Sequence, residues 1–228
     1  MFKHPFSGAV VGTIHNPKAL AAALKLSGKG VDFLEVRIDA FAGATALAAL
    51  EKALPKLKVP LLITVRHPLE GGGGSLTLAQ RRALFARFLP YASLVDVELR
   101  SAKALGSVIA QAQSQGIGVV LSHHDFQKTP SPARLQVLRN AAARAGCDIF
   151  KVATVARSPR DLVTLLDFLT ARSSAALPLA VMGMGEFGKI SRLALGKSGS
   201  VLNYGYLDKP QVPGQWPAAL LKERLREC

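Results

Sequence analysis

Short apolar, β-branched runs alternate with Ala/Leu/Arg-rich stretches of helical period along the whole chain. The runs predict strands over residues 7–14, 32–39, 60–66, 94–99, 118–124, 148–155, 178–185 and 200–206. A helical pattern follows each one: KALAAALKLSG, TALAALEKAL, LTLAQRRALFARFL, AKALGSVIAQAQSQG, SPARLQVLRNAAARAG, SPRDLVTLLDFLTARS, GKISRLAL and PAALLKERLRE. Ser131-Pro132 and Ser158-Pro159 read as N-cap and first-turn pairs. Gly116 and Gly146 close helices before the next strand. Strict strand–helix alternation implies parallel pairing. Parallel strands covered on both faces read as continuous apolar runs, as these do. Eight units in 228 residues, with no linker or composition break, predict one α/β domain over residues 1–228, a single (β/α)8 TIM barrel. An open doubly wound sheet is the rival architecture.

Composition narrows the function classes. The chain is 49% hydrophobic and 19% charged, which suits a globular protein with a sizeable core. Charge or Gly interrupts every apolar run within a dozen residues, so no transmembrane helix is expected. The segment Met1–Phe6 lacks the apolar stretch of a secretory signal. Cys147 and Cys228 make no disulfide framework and read as free thiols in a reducing cytoplasm. The net charge of +14 invites a nucleic-acid reading. The basic residues are spread along the chain, however, and aromatics are only 6%, so no stacking platform forms. A basic surface that attracts anionic metabolites explains the charge better, with no nucleic-acid partner.

The strand ends carry the candidate chemistry. A barrel's active site lies at the C-terminal ends of its strands. Glu35, Arg37 and Asp39 end the second strand, Thr64 and Arg66 the third, with Glu70 in the loop after it. Asp96 and Glu98 lie on the fourth, Ser122, His123, His124 and Asp125 end the fifth, and Met182 and Met184 end the seventh. Several of these alternate along their strands, so they can share one lumen. Any single pair, such as Arg66 with Asp96 or Glu98, also reads as a structural ion pair. Lys151 stands inside the apolar run DIFKVATV. It is either a snorkelling Lys or an amine that desolvation and cations such as Arg37 or Arg66 make available as a nucleophile. A neutral amine condenses with a ketone, and the iminium then draws electrons as the adjacent carbon loses a proton. His124 is the candidate base, oriented by Glu70. Together these residues point to a Lys-imine lyase or aldolase. Gly183–Gly188 matches G-x-G-x-x-G, with Asp208 about twenty residues on, but too little chain remains for a dinucleotide half.

The motifs FLEVRID (33–39), ITVRHPLEGG (63–72), VDVEL (95–99), LSHHDFQKTP (121–130), IFKVAT (149–154), VMGMGEFGKISR (181–192) and VPGQ (212–215) come in a specific order and spacing. In them the chain resembles the type I 3-dehydroquinate dehydratases of the shikimate pathway. The resemblance implies syn loss of water from 3-dehydroquinate, with no metal and no organic cofactor. It implies that Lys151 forms the imine, that His124 moves the proton and that Glu70 orients His124. It further implies substrate contacts from Glu35, Arg37 and Arg66, a carboxylate contact from Arg192, and a contact from Gln215 in the last loop. Met182 and Met184 would line the pocket. Tyr204 and Gln211 stand at contact positions where the family commonly has Phe and a small residue, and His123 where it has an aromatic or Asn. The resemblance also implies a cytoplasmic homodimer and a closing segment over residues 207–215. The glycine-rich loop Pro68–Ser75 is expected to be flexible. A sugar-phosphate aldolase that uses Arg192 and the glycine-rich backbone as its phosphate cradle is the closest rival.

Overall fold

The computed structural model describes residues 8–26, 30–171 and 177–227. Met1–Phe6, Ser7, the Ser27-Gly28 end of the first predicted helix, Arg172-Ser173 of the sixth, and Cys228 lie outside the described residues. The strands are β1 (Ala9–Ile14), β2 (Phe33–Arg37), β3 (Leu61–Thr64), β4 (Leu94–Glu98), β5 (Gly118–Asp125), β6 (Ile149–Val155), β7 (Leu179–Met184) and β8 (Leu202–Tyr206). The helices are α1 (Pro17–Lys25), α2 (Ala44–Ala53), α3 (Leu78–Phe88), α4 (Gly106–Ser114), α5 (Pro132–Arg144), α6 (Pro159–Thr170), α7 (Gly188–Lys197) and α8 (Ala218–Glu227). The strands pair in parallel in the order β7-β6-β5-β4-β3-β2-β1-β8. Between β7 and β8 no ladder forms; instead Val201 N donates to Leu179 O at 2.9 Å and Val181 N to Ser200 Oγ at 3.0 Å. The result is a nearly closed (β/α)8 barrel, as the alternation predicts. Among the described residues no helix is long and apolar enough to cross a membrane.

The helix signals act through their local chemistry. Ser131 Oγ accepts from Arg134 N, and Ser158 forms a capping box with Asp161, so each Pro follows a satisfied N-cap. Gly116 and Gly146 adopt φ of 72° and 73°, the left-handed conformation that ends α4 and α5. Two expectations differ from the structure. Strand β2 stops at Arg37 because residues 38–40 turn into a 3-10 helix that carries Asp39, and β3 stops at Thr64, two residues before its predicted end, ahead of a 3-10 helix at 68–70 that carries Glu70. Helix α4 starts at Gly106 rather than near Ala102, after a tight turn at Leu99–Ser101.

Side chains leave each strand in two layers, because alternate residues face opposite sides. Val36, Ile63, Val95, Leu121, Phe150 and Val152 face the helices and form the larger apolar cluster. Val11, Phe33, Leu62, Leu94, Val120 and Ile149 face inward and plug the lower lumen. Fully burying one such side chain is worth roughly 1.5–3 kcal/mol. Two residues further along the same strands, the inward positions are Thr13, Glu35, Thr64, Asp96, Ser122 and Lys151, so the lumen turns polar toward the C-terminal ends.

Candidate active site

Lys151 sits in an apolar strand because its neighbours Phe150 and Val152 serve the helix layer while Lys151 points inward. It is 3% exposed. Its Nζ donates to Asp96 Oδ2 at 2.9 Å and lies 3.7 Å from Glu35 Oε1. The register sets Ser122 beside Lys151 and Ala153 beside His124, which brings β5 and β6 groups to one level.

Arg66 organises the floor of this site. It forms a bidentate pair with Asp96, both contacts at 2.8 Å, and also donates to Ser122 Oγ at 2.6 Å and Glu98 Oε1 at 3.3 Å. Glu98 is shared in turn with Arg81 of α3, which also donates to Val65 O. Burial alone would raise the Asp96 carboxyl, but Arg66 and Lys151 hold it well below the usual carboxylate range. Three carboxylates, Glu35, Asp96 and Glu98, thus face Arg66, Arg81 and Lys151. Removing one partner from such a network leaves a buried charge uncompensated, at about 3–5 kcal/mol. Glu35 also accepts from Thr13 and Thr64 hydroxyls, which fixes its carboxylate.

His124 and Glu70 form the second group. Glu70 Oε2 accepts from the His124 main-chain N at 3.0 Å and lies 3.0 Å from His124 Nδ1. Burial raises the Glu70 carboxyl to about 7. Burial, reinforced by Arg66 and Lys151, holds the His124 imidazole well below its usual range, so it is neutral at neutral pH. His123 points the other way along β5, outside the cavity lining, with Asp125, Arg134 and Arg100 as its charged neighbours. Arg37 is held by Asp39 through two contacts, 3.0 and 2.7 Å, and donates to Gly71 O at 2.8 Å.

These groups open into one cavity of about 520 Å³. Glu35, Arg37, Arg66, Glu70, His124 and Lys151 line it, as do Met182, Met184, Tyr204, Gln211 and Gln215. Gln211 N donates to Gln215 Oε1 at 2.6 Å, which folds the 211–215 turn over the mouth. Arg192 stands outside this lining. It is 2% exposed and donates to Tyr204 O and Gly214 O, with no carboxylate partner among the described residues. Burial lowers its guanidinium to about 10. The glycine loop is packed at its middle, since a Cβ on Gly73 would fall 2.6 Å from Asp39 O, one on Gly72 would meet Arg66 O, and Gly73 N donates to Asp39. Gly183–Gly188 likewise serves packing, because a Cβ on Gly188 would fall 2.7 Å from the Gly214 Cα.

Thr13, His15, Phe126 and Lys209 also line the cavity and were not singled out from sequence. Thr13 and His15 continue the inward series of β1 begun by Val11, and that period was the available signal. Lys209 and Phe126 sit on loops, where no period operates.

Comparison with known proteins agrees with this geometry. The family model for type I 3-dehydroquinase matches residues 9–227. A 3-dehydroquinate dehydratase of Methanocella arvoryzae is 31% identical, with 97% of each chain covered. The Geobacillus kaustophilus 3-dehydroquinate dehydratase structure superposes with a TM-score of 0.87 at 30% identity, covering 96% of this chain and 90% of that one. A Clostridium difficile type I 3-dehydroquinate dehydratase with covalently modified comenic acid superposes with a TM-score of 0.85 at 25% identity, over 96% of this chain and 91% of that one. With its barrel, its buried lumen lysine and this match over nearly its whole length, the chain belongs to the type I 3-dehydroquinase family.

Proposed function

We propose that the chain converts 3-dehydroquinate to 3-dehydroshikimate through an imine on Lys151, with His124 as the proton carrier. One observation carries this reading: a buried lysine and a histidine held by a carboxylate line the same cavity at the C-terminal ends of the strands. The Lys151 amine attacks the ketone carbon, and the ketone oxygen leaves as water, giving a cationic iminium. His124 takes the proton from the adjacent carbon, and the C–H electrons move into an enamine. The enamine then expels the β-hydroxyl, which takes the proton from the His124 imidazolium and departs as water. A water molecule adds to the remaining iminium and releases the conjugated ketone and free Lys151.

The charges around Nζ favour this course. With Lys151 charged, the network of three carboxylates and three cations is balanced. A neutral amine leaves one carboxylate in excess, and the iminium restores the balance at the same atom. Glu70 aligns His124 by accepting Nδ1–H, leaving Nε2 as the base. Glu35, Arg37 and Arg66 meet substrate hydroxyls, Met182, Met184 and Tyr204 shape the walls, and Gln211 and Gln215 close the mouth. The substrate carboxylate goes toward the segment between Lys209 and Gly214, where Lys209 and Arg192 carry charges that no carboxylate matches among the described residues.

Borohydride reduction during turnover tests the reading. Digestion and mass spectrometry should find the reduced adduct on the Lys151 peptide, alongside the rising enone absorbance of product. No adduct and no enone would overturn it.

A further inference from the structure

Tyr204 projects from β8 into the lumen, is 3% exposed, and its hydroxyl has no hydrogen-bond partner among the described residues. The ring, not the hydroxyl, is the part of this side chain that meets the lysine. Lys151 Nζ lies 3.9 Å from the Tyr204 ring centroid. Nζ is therefore flanked by Asp96 at 2.9 Å, Glu35 at 3.7 Å and an aromatic face. The face of an aromatic ring carries negative potential, as the two carboxylates do. Such a cage fits a positive nitrogen better than a neutral one.

We propose that the Tyr204 ring is a catalytic residue, a cation–π face that stabilises the iminium formed on Lys151. The proposal rests on the imine reading and assigns a task within it. Imine formation passes from a neutral carbinolamine to a cation, and enamine collapse regenerates that cation before hydrolysis. The ring is fixed in place against Nζ, so it contributes whenever the nitrogen is charged and nothing when it is neutral. It therefore shifts the carbinolamine–iminium balance toward the species that loses the proton. The phenol remains protonated, because burial, with Glu35 and Asp96 nearby, pushes its ionisation well above the ordinary value. The hydroxyl is not needed for this task.

Three variants separate ring from hydroxyl. Tyr204→Phe keeps the face, so its kcat and its borohydride-trapped fraction of Lys151 should stay well above those of Tyr204→Leu. Tyr204→Leu removes the face and should lower both by about 5- to 30-fold. Incorporating fluorinated phenylalanines at position 204 keeps the shape while draining the ring of electron density, and trapping should fall with each added fluorine. That series decides the matter if Tyr204→Leu fails to fold. Wild-type trapping with a Leu variant that traps equally, a Phe variant as impaired as Leu, or a flat fluorine series overturns the role of the ring alone. A wild-type protein that turns over without any trapped adduct overturns the imine reading, and the role of the ring with it.

Discussion

Glu70 meets His124 twice through one oxygen: Oε2 accepts the main-chain N–H at 3.0 Å and lies 3.0 Å from ring Nδ1. The backbone contact fixes the carboxylate relative to β5, so the ring contact is set by the barrel and not by two free rotamers. The pair spans two elements, since Glu70 belongs to the 3-10 turn after β3 and His124 to β5.

The titration directions of this pair give a pH profile. His124 is neutral across the neutral range, because burial, with Arg66 and Lys151, depresses its protonation. Glu70 ionises only through about 7, because burial favours its protonated form. A carboxylate orients Nδ1–H and stabilises the imidazolium, whereas a neutral acid does this less well. Turnover should rise as pH increases through about 7. Glu70→Gln should lower kcat and flatten that rise, as read from kcat between about pH 5.5 and 8.5. A Gln variant that retains the rise would assign the ionisation to another group.

The same shift predicts a stability effect of opposite sense. The Glu70 carboxyl is raised from an ordinary 4.5 to about 7 on folding. The folded state therefore binds more protons than the unfolded state between those values. The Glu70 contribution is fully present below the lower value and is lost as pH rises through the upper one. Glu70→Gln removes this dependence and keeps an acceptor for the His124 N–H. Relative to wild type, the variant should gain stability from about pH 4 to pH 8, by about 3 kcal/mol. Urea denaturation at the two pH values measures it. A constant difference between the proteins would show that Glu70 does not carry the shift.

The His123-His124 doublet tests the inward–outward alternation. The two side chains leave opposite faces of β5, and only His124 lines the cavity. His124→Ala should cut kcat by about 10²- to 10⁴-fold while a Lys151 adduct still forms. His123→Ala should leave kcat within about threefold and act on stability alone. Single-turnover kinetics with adduct trapping separates the steps. A collapse of turnover in the His123 variant would reassign the base.

Much of this site was legible because strand period and chemistry coincide. Along β2, β4, β5 and β6 the inward series turns from apolar to polar, as in Phe33-Glu35-Arg37, Val120-Ser122-His124 or Ile149-Lys151, while the outward neighbours at those levels, such as Leu34, Val36, Leu121, Phe150 and Val152, stay apolar. Lys151 stands out because it breaks an apolar run at an inward position. The groups that hold the site in place were less legible. Arg81 reaches Glu98 from α3, and its helical pattern gives no hint that it is buried. Asp39 pairs Arg37 and also accepts from Arg66 N and Gly73 N, contacts that depend on two loops meeting. The glycines at 71–74 suggest freedom, yet Gly72 and Gly73 are there because main chains approach too closely for a Cβ. Non-local approach of this kind leaves no periodic trace.

Arg192 and Lys209 are two cations beside the closing segment that have no carboxylate partner among the described residues, and they should answer differently to salt. Arg192 is 2% exposed and tied to the Tyr204 and Gly214 carbonyls, whereas Lys209 is exposed at the cavity rim. Screening acts on exposed charges over about 10 Å at 0.1 M salt and much less on buried ones. Lys209→Gln should raise KM for the anionic substrate by about 3- to 10-fold at low salt with kcat little changed, and the difference from wild type should vanish near 0.5 M salt. Arg192→Gln should raise KM by at least about 10-fold at every ionic strength, and Arg192→Lys should restore little, because an ammonium lacks the planar fork that holds a carboxylate at two points. Steady-state kinetics across a salt series reads both. If the Arg192 variants bind substrate normally and the Lys209 effect persists at high salt, the carboxylate sits at the rim; if neither variant changes KM, it binds elsewhere in the cavity.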